Sequence, residues 1–216
     1  IMAGDNDVLI TLGAQNALYL LSSLLVNART RTAIEEPGFP DVRNIFQLKT
    51  PHVALIPLDE NGLTLNEDLA NSDLVFVTPS HQFPTTVTMP LERRLELLNM
   101  AREREFIIIE DDYEFETNYV NEPCPALKSL DDDGRVVYVG SLSKTLVPGL
   151  RLGFMVGPKA LIDQARALRR LMVRHAPNTN QRTAALFLSL GHHDTLIRRL
   201  HRAYRERWDI MGAALE

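Results

Sequence analysis

The 216-residue sequence predicts an α/β fold, a three-layer α/β/α arrangement built on a mostly parallel, seven-stranded sheet. Three observations predict it. Short β-branched or apolar runs alternate with longer stretches of helical period. That alternation is the signature of strands covered on both faces by crossover helices. The glycine turns, stiff proline-bracketed loops and polar side chains also gather just after the runs, where open α/β sheets place their ligands.

The strand candidates are 8–11 (VLIT), 31–36 (RTAIEE), 52–58 (HVALIPL), 73–79 (DLVFVTP), 106–112 (FIIIEDD), 136–141 (VVYVGS) and 153–158 (GFMVGP). Helical patterns cover 14–27, 38–47, 64–70, 89–104, 159–174, 178–190 and 193–215. Asn66-Glu-Asp-Leu and Pro90-Leu-Glu-Arg read as helix starts, by a capping side chain and by a proline at the first turn. The last two strand candidates lie too close for a full crossover helix, so one of them is expected to run antiparallel. Without repeats, low-complexity tracts or Gly/Ser linkers, the chain reads as one domain, 1–216.

Composition narrows the function classes. Hydrophobic residues make up 45% and charged residues 24%, ordinary for a globular chain with a sizeable core. No apolar run reaches membrane-spanning length, and the start carries no signal-type segment. The single cysteine, Cys124, excludes an internal disulfide, fits a reducing cytoplasm and argues against a cysteine-based metal site. Residues 1–158 carry a net charge of −11, which argues against this domain clamping nucleic acid. Residues 159–216 carry +6, but Leu and Ile recur between the arginines, as on the solvated face of helices. His192-His193 after a glycine reads as a helix-start loop and no metal site is expected.

The chemistry-bearing residues follow the strands. Gly13-Ala14-Gln15 opens a helix after the first strand, offering unpaired N–H groups and a positive dipole end to a phosphate. Phe39 stands in the turn after the second. Thr78-Pro-Ser-His-Gln-Phe-Pro-Thr85 follows the fourth, with His81 and Gln82 presented between prolines. Glu110-Asp111-Asp112-Tyr113 ends the fifth, three acids that are hard to bury unless one meets a cation. After the sixth come Ser141, Ser143, Lys144 and Arg151.

Two hydroxyls and a guanidinium fork suit phosphate oxygens, and a lone lysine beside them suits Schiff-base formation with an aldehyde. Pyridoxal 5′-phosphate is both a phosphate ester and an aldehyde. Its pyridine nitrogen needs a buried carboxylate to stay protonated, which Asp111 or Asp112 could supply. Tyr113 could donate to its phenolic oxygen and Phe39 could cover its ring.

In combination these motifs resemble the large domain of the fold-type I pyridoxal-phosphate proteins, the aspartate aminotransferase superfamily. More narrowly they resemble the aminotransferase-like domain of the MocR (GabR-like) regulators of the GntR superfamily. The narrow likeness rests on Thr78–Thr85, on Ile109-Glu-Asp-Asp-Tyr113 with Pro125-Ala-Leu-Lys-Ser-Leu130, on Gly140-Ser-Leu-Ser-Lys144 and on Pro148-Gly-Leu-Arg151, with a helix ending Tyr204-Arg-Glu-Arg207. The resemblance implies that Lys144 carries the cofactor aldehyde, that Asp111 pairs with the pyridinium and Tyr113 with the phenolic oxygen. It implies that Gly13, Ala14, Gln15, Ser141, Ser143 and Arg151 hold the phosphate and that Phe39 stacks on the ring. Where aminotransferases place an asparagine near the phenolic oxygen, His81-Gln82-Phe83 stand here, so His81 is taken as the cofactor-binding residue of that loop, and Thr86 replaces a glycine.

The resemblance further implies a homodimer, a small carboxy-terminal domain and an amino-terminal winged helix outside this chain. DNA would be contacted only through that winged helix. On this reading an amine or amino acid is sensed by aldimine exchange at Lys144, with aminotransferase turnover between an amino acid and a 2-oxo acid as the alternative.

Overall fold

The computed structural model describes residues 1, 3–113, 124–142 and 145–215. All seven expected strands form: β1 (Val8–Thr11), β2 (Thr32–Glu36), β3 (Val53–Asp59), β5 (Leu74–Val77), β6 (Ile107–Asp112), β7 (Val136–Ser141) and β8 (Gly153–Val156). An eighth, β4 (Gly62–Leu63), is a two-residue strand that pairs antiparallel with the end of β3. The helices are α1 (Ala14–Leu25), α2 (Pro40–Gln47), α3 (Glu67–Ala70), α4 (Leu91–Arg104), α5 (Leu127–Leu130), α6 (Lys159–Val173), α7 (Asn178–Ser189) and α8 (His192–Leu215). The short α5 is the one helix among these that periodicity did not announce.

The sheet order is β1-β8-β7-β6-β5-β2-β3-β4. Strands β7, β6, β5, β2 and β3 are parallel to their neighbours in that run, and β8 is antiparallel to both β7 and β1. The expected antiparallel member is therefore β8, reached from β7 by a connection of 142–152 rather than by a crossover helix.

Strand alternation divides the core into two layers. Ile34, Leu74, Phe76, Ile109, Val137 and Val139 face α1, α2 and α6, whose Leu18, Leu21, Val42, Phe46 and Ile162 complete that layer. Ala33, Val75, Val77, Ile108 and Val136 face the other way, onto Leu69, Leu97, Ala101 and Leu127 of α3, α4 and α5. The three-layer α/β/α class thus follows from two apolar stripes per strand. Helix ends agree with their sequence signals: the Asn66 side chain accepts from the Leu69 amide at 2.9 Å, and Pro90 caps α4.

Two layers this close leave some positions without room for a side chain. A Cβ at Gly153 would lie 2.6 Å from the carbonyl carbon of Gly13 and 2.9 Å from the amide of Ala14, all backbone. The start of β8 is therefore pressed against the start of α1. Gly153→Ala is expected to destabilise the protein by about 1–3 kcal/mol, the usual range for overpacking, because the clashing atoms belong to backbone and cannot rotate away. Denaturant unfolding measures this, and an unchanged midpoint would show that β8 and α1 can part there at no cost.

Candidate functional site

At the carboxyl end of the parallel strands lies a cavity of about 210 Å³, lined by Ala14, Gln15, Phe39, Thr78, Phe83, Asp111, Tyr113 and Ser141. Six of these eight were expected from sequence. They arrive from the start of α1, the β2–α2 turn and the ends of β5, β6 and β7, so five segments distant in sequence converge on one point.

The α1 end gathers backbone donors and a guanidinium. Gly13 holds φ +87°, a left-handed conformation that glycine adopts at no steric penalty, and the Thr11 hydroxyl donates to its carbonyl at 3.0 Å. A side chain at Gly13 would also intrude on Arg151, because its Cβ would sit 3.2 Å from Nη2. Arg151 itself has φ +48° and donates from Nη2 to the Leu12 carbonyl at 3.2 Å. The guanidinium is thereby held beside the first amides of a 12-residue helix, where positive charge and unpaired N–H groups add.

β6 ends in three acids, and all three are buried: Glu110 shows no accessible surface, and Asp111 and Asp112 show 5% each. Alternation sends Asp111 to the cavity side and its two neighbours to the opposite face. Glu110 accepts the Leu127 and Lys128 amides at the start of α5, each at 2.8 Å, with the buried Arg94 guanidinium 4.0 Å away. Burial still pushes its carboxyl up to about 7, with the two amides and Arg94 opposing the rise and Asp112 adding to it. Asp112 accepts from the Tyr138 hydroxyl at 3.1 Å.

Asp111 differs. Its Oδ1 has no hydrogen-bond partner among the described residues. Burial, then the charges of Asp112 and Glu35, push its carboxyl up to about 7. A buried carboxylate oxygen left over and facing a cavity is matched by a cationic N–H from a ligand.

Phe39 and Phe83 meet edge to face across the cavity mouth, centroids 6.1 Å apart. Tyr113 meets the His81 ring in the same manner at 6.2 Å. His81 itself lines a second cavity of about 450 Å³ with Arg94, Asp112 and Tyr138, while its ring partner Tyr113 lines the cavity of Asp111. Gln82, expected to be presented, is instead 2% exposed and turned inward, where its amide spans the loop and the β2 end. Ser143 and Lys144 lie outside the described residues.

Sequence reading passed over Thr78 and Phe83 as cavity residues, although it had singled out their loop, and it missed Glu35 behind them. Glu35 lies in β2, is 2% exposed, and accepts from the Thr78 amide at 3.1 Å and the Thr78 hydroxyl at 2.6 Å. The only sequence signal was the acid pair Glu35-Glu36 ending a strand.

The sequence profile described as aminotransferase class I and II matches residues 3–206. The HTH-type transcriptional regulator TauR of Rhodobacter capsulatus is 47% identical over 216 residues, covering all of this chain and 45% of the regulator. The probable rhizopine catabolism regulatory protein MocR of Rhizobium meliloti is 35% identical, covering 95% of this chain and 42% of its own length. The chain thus spans about half the length of the curated relatives it matches. Among solved structures, the kynurenine aminotransferase of Pyrococcus horikoshii, in complex with PMP, superposes with a TM-score of 0.93 at 32% identity, covering 99% of this chain and 55% of that one. LysN, the α-aminoadipate aminotransferase of Thermus thermophilus, gives 0.90 at 31% identity, covering 97% and 56%. A profile match over nearly the whole chain, on a sheet and cavity of this design, places the chain in the class I and II aminotransferase family.

Proposed function

We propose that this chain is the pyridoxal-phosphate-binding, aminotransferase-like effector domain of a MocR-type transcription regulator, responsive to an amine or amino acid. The observation that carries this reading is the 47% identity to a transcriptional regulator across the full chain, against 32% for the kynurenine aminotransferase. DNA contact would belong to another domain of the regulator, and the working unit would be a homodimer.

The residues present fit the cofactor on two counts. The Gly13–Arg151 cradle at the start of α1 is tight for a side chain, at a φ that favours glycine, and offers donors to a phosphate. Asp111 keeps an unpartnered oxygen in the cavity wall, the acceptor that a pyridinium N–H requires. When bound, pyridoxal phosphate supplies an aldehyde that captures primary amines and a protonated ring that withdraws electrons from them.

The chain's own residues do the rest. Gly13, Ala14, Gln15, Ser141, Ser143 and Arg151 bind the phosphate. Asp111 holds a proton on the ring nitrogen, its negative charge being stabilised by that proton's positive one. Tyr113 donates to the phenolic oxygen, Phe39 covers the ring face and His81 closes the Tyr113 side. Lys144 supplies the amine that retains the cofactor and that an effector amine displaces. A sensor needs only this exchange.

A second reading is favoured by the likeness to the kynurenine aminotransferase at 0.93 over 99% of the chain. In that case Lys144, once displaced, acts as general base at the substrate α-carbon and the protein moves amino groups between an amino acid and a 2-oxo acid.

Purified protein mixed with pyridoxal phosphate is expected to develop a visible absorption band that Lys144→Ala abolishes, while Asp111→Ala shifts the band and weakens binding. Absence of the band in the parent protein would overturn both readings. To separate them, full-length protein is incubated with amino donors and 2-oxo acids. The sensor reading expects spectral change without new amino acid over hours, and steady product would favour turnover.

The pH dependence of stability gives an independent check on Asp111. Its carboxyl titrates at about 7 in the folded protein and near 3.9 when unfolded. Between these values the folded state binds more protons, so its contribution to cofactor-free stability is complete below about pH 4 and lost as pH rises through about 7. The loss is at most roughly 4 kcal/mol. Asp111→Asn is expected to raise the melting temperature of cofactor-free protein at pH 8 and leave it unchanged near pH 4.

A further inference from the structure

We infer that Glu35 is a positioning residue of this cavity: it binds the Thr78–Phe83 loop to the turn that carries Phe39, and so sets the gap between the cavity's two aromatic walls. The inference rests on the cofactor reading above, since it assigns the aperture a role in seating the ring.

The geometry is a relay of hydrogen bonds from one buried carboxylate. Glu35 Oε1 accepts from the Thr78 amide at 3.1 Å, and Oε2 accepts from the Thr78 hydroxyl at 2.6 Å and from Gln82 Nε2 at 3.2 Å. All three donors are neutral and all belong to one loop. Gln82 passes the connection on. Its Nε2 reaches the Pro37 carbonyl at 2.9 Å and the Phe83 carbonyl at 2.6 Å, and its Oε1 accepts from the Thr85 amide at 3.0 Å and the Thr85 hydroxyl at 2.6 Å. The amide orientation is therefore dictated by its partners, because only Oε1 can take the Thr85 donors. On the turn side, a Cβ at Gly38 would stand 2.2 Å from the Glu35 carbonyl oxygen, so the chain leading to Phe39 is pressed onto the same residue.

Thr78, Phe83 and Phe39 all line the cavity, and the two rings meet at 6.1 Å. Among the described residues, the hydrogen bonds between the Thr78–Phe83 loop and the Phe39 turn run through Glu35 or through the Gln82 amide that it accepts from. A buried carboxylate is an expensive way to fasten a loop, since an apolar residue of similar volume is often at least as stabilising. What it supplies is geometry: burial pushes the Glu35 carboxyl up, the Thr78 and Gln82 hydrogen bonds oppose that rise, and both oxygens are aimed at groups whose carbon skeletons form the site. Glu35→Gln would turn one acceptor into an NH₂ facing donors, and Thr78→Val would remove the shortest bond.

The test compares parent protein, Glu35→Gln, Thr78→Val, Thr78→Ser and the Glu35→Gln/Thr78→Val double variant. The readouts are pyridoxal phosphate affinity, the visible circular dichroism of the bound cofactor and the thermal midpoint. A hydrogen bond to a charged group is worth about a tenfold change in affinity or more. We expect Glu35→Gln and Thr78→Val each to lower affinity about tenfold and to diminish the visible dichroism. Thr78→Ser should recover most of both, and the double variant should fall well short of the product of the two single losses, because both disrupt the Thr78 hydroxyl–Glu35 bond. Losses that multiply in the double variant, or parent-like affinity and dichroism in Glu35→Gln, would overturn the inference while leaving the cofactor reading intact. If Glu35→Gln does not fold, parent-like behaviour of Thr78→Val overturns it equally. A parent protein without the visible band removes the cofactor reading and this inference together.

Discussion

Water is excluded from the carboxyl end of β6, and the rest of the site is organised around what that costs. Three successive carboxyl groups are buried there, a run that in solution would repel itself and remain hydrated. The fold resolves each by a different means. Glu110 receives two helix-start amides and a buried guanidinium, Asp112 receives a phenol, and Asp111 receives nothing from the described chain on its inward oxygen. The first two arrangements also fasten α5 and β7 to β6. They let the third stay uncompensated, because a strand held on both sides does not bend to relieve one oxygen.

Most of this architecture was legible in the amino-acid order. Strands longer than three residues announced themselves through β-branched runs, and their alternation correctly implied two helix layers. β4 was not legible because two residues, Gly62 and Leu63, cannot display a period. α5 was hidden for the same reason, since four residues make barely one turn. Of the cavity, the residues that follow strands directly were readable, because strand ends in such sheets share one edge. Glu35 was not: its burial depends on Thr78 and Gln82, 43 and 47 residues away, and an acid in a strand looks the same in sequence whether solvated or enclosed. Arg94 escaped likewise. In a helix reading Leu-Glu-Arg-Arg-Leu-Glu, it passes for part of a solvated face, yet its donors end on the Met89, Pro79 and Pro125 carbonyls. Gln82 was misplaced because flanking prolines report stiffness, and stiffness does not say whether a side chain points out or in.

The division of labour across the sheet follows from its period of two. Adjacent residues of β6 cannot serve the same compartment, so Asp111 and Asp112 lie on opposite faces with different neighbours and different partners. The same rule separates Ser141, in the smaller cavity, from Tyr138, in the larger. A single-residue slip of β6 would exchange the two compartments and put Glu110 or Asp112 where Asp111 stands. Register along β5–β6–β7 is therefore a chemical specification as well as a packing one.

The contact between Arg151 and the Leu12 carbonyl spans 139 positions of the chain. The complete cradle requires both halves to have come together. α1 can form early from local interactions, but its first turn acquires its guanidinium only after β8 has slotted between β1 and β7 and brought the distant segment home. Anything that binds there binds the finished topology alone and stabilises it by mass action. The cradle is in this sense a receipt for completed folding: any occupant would report that the last strand has been inserted.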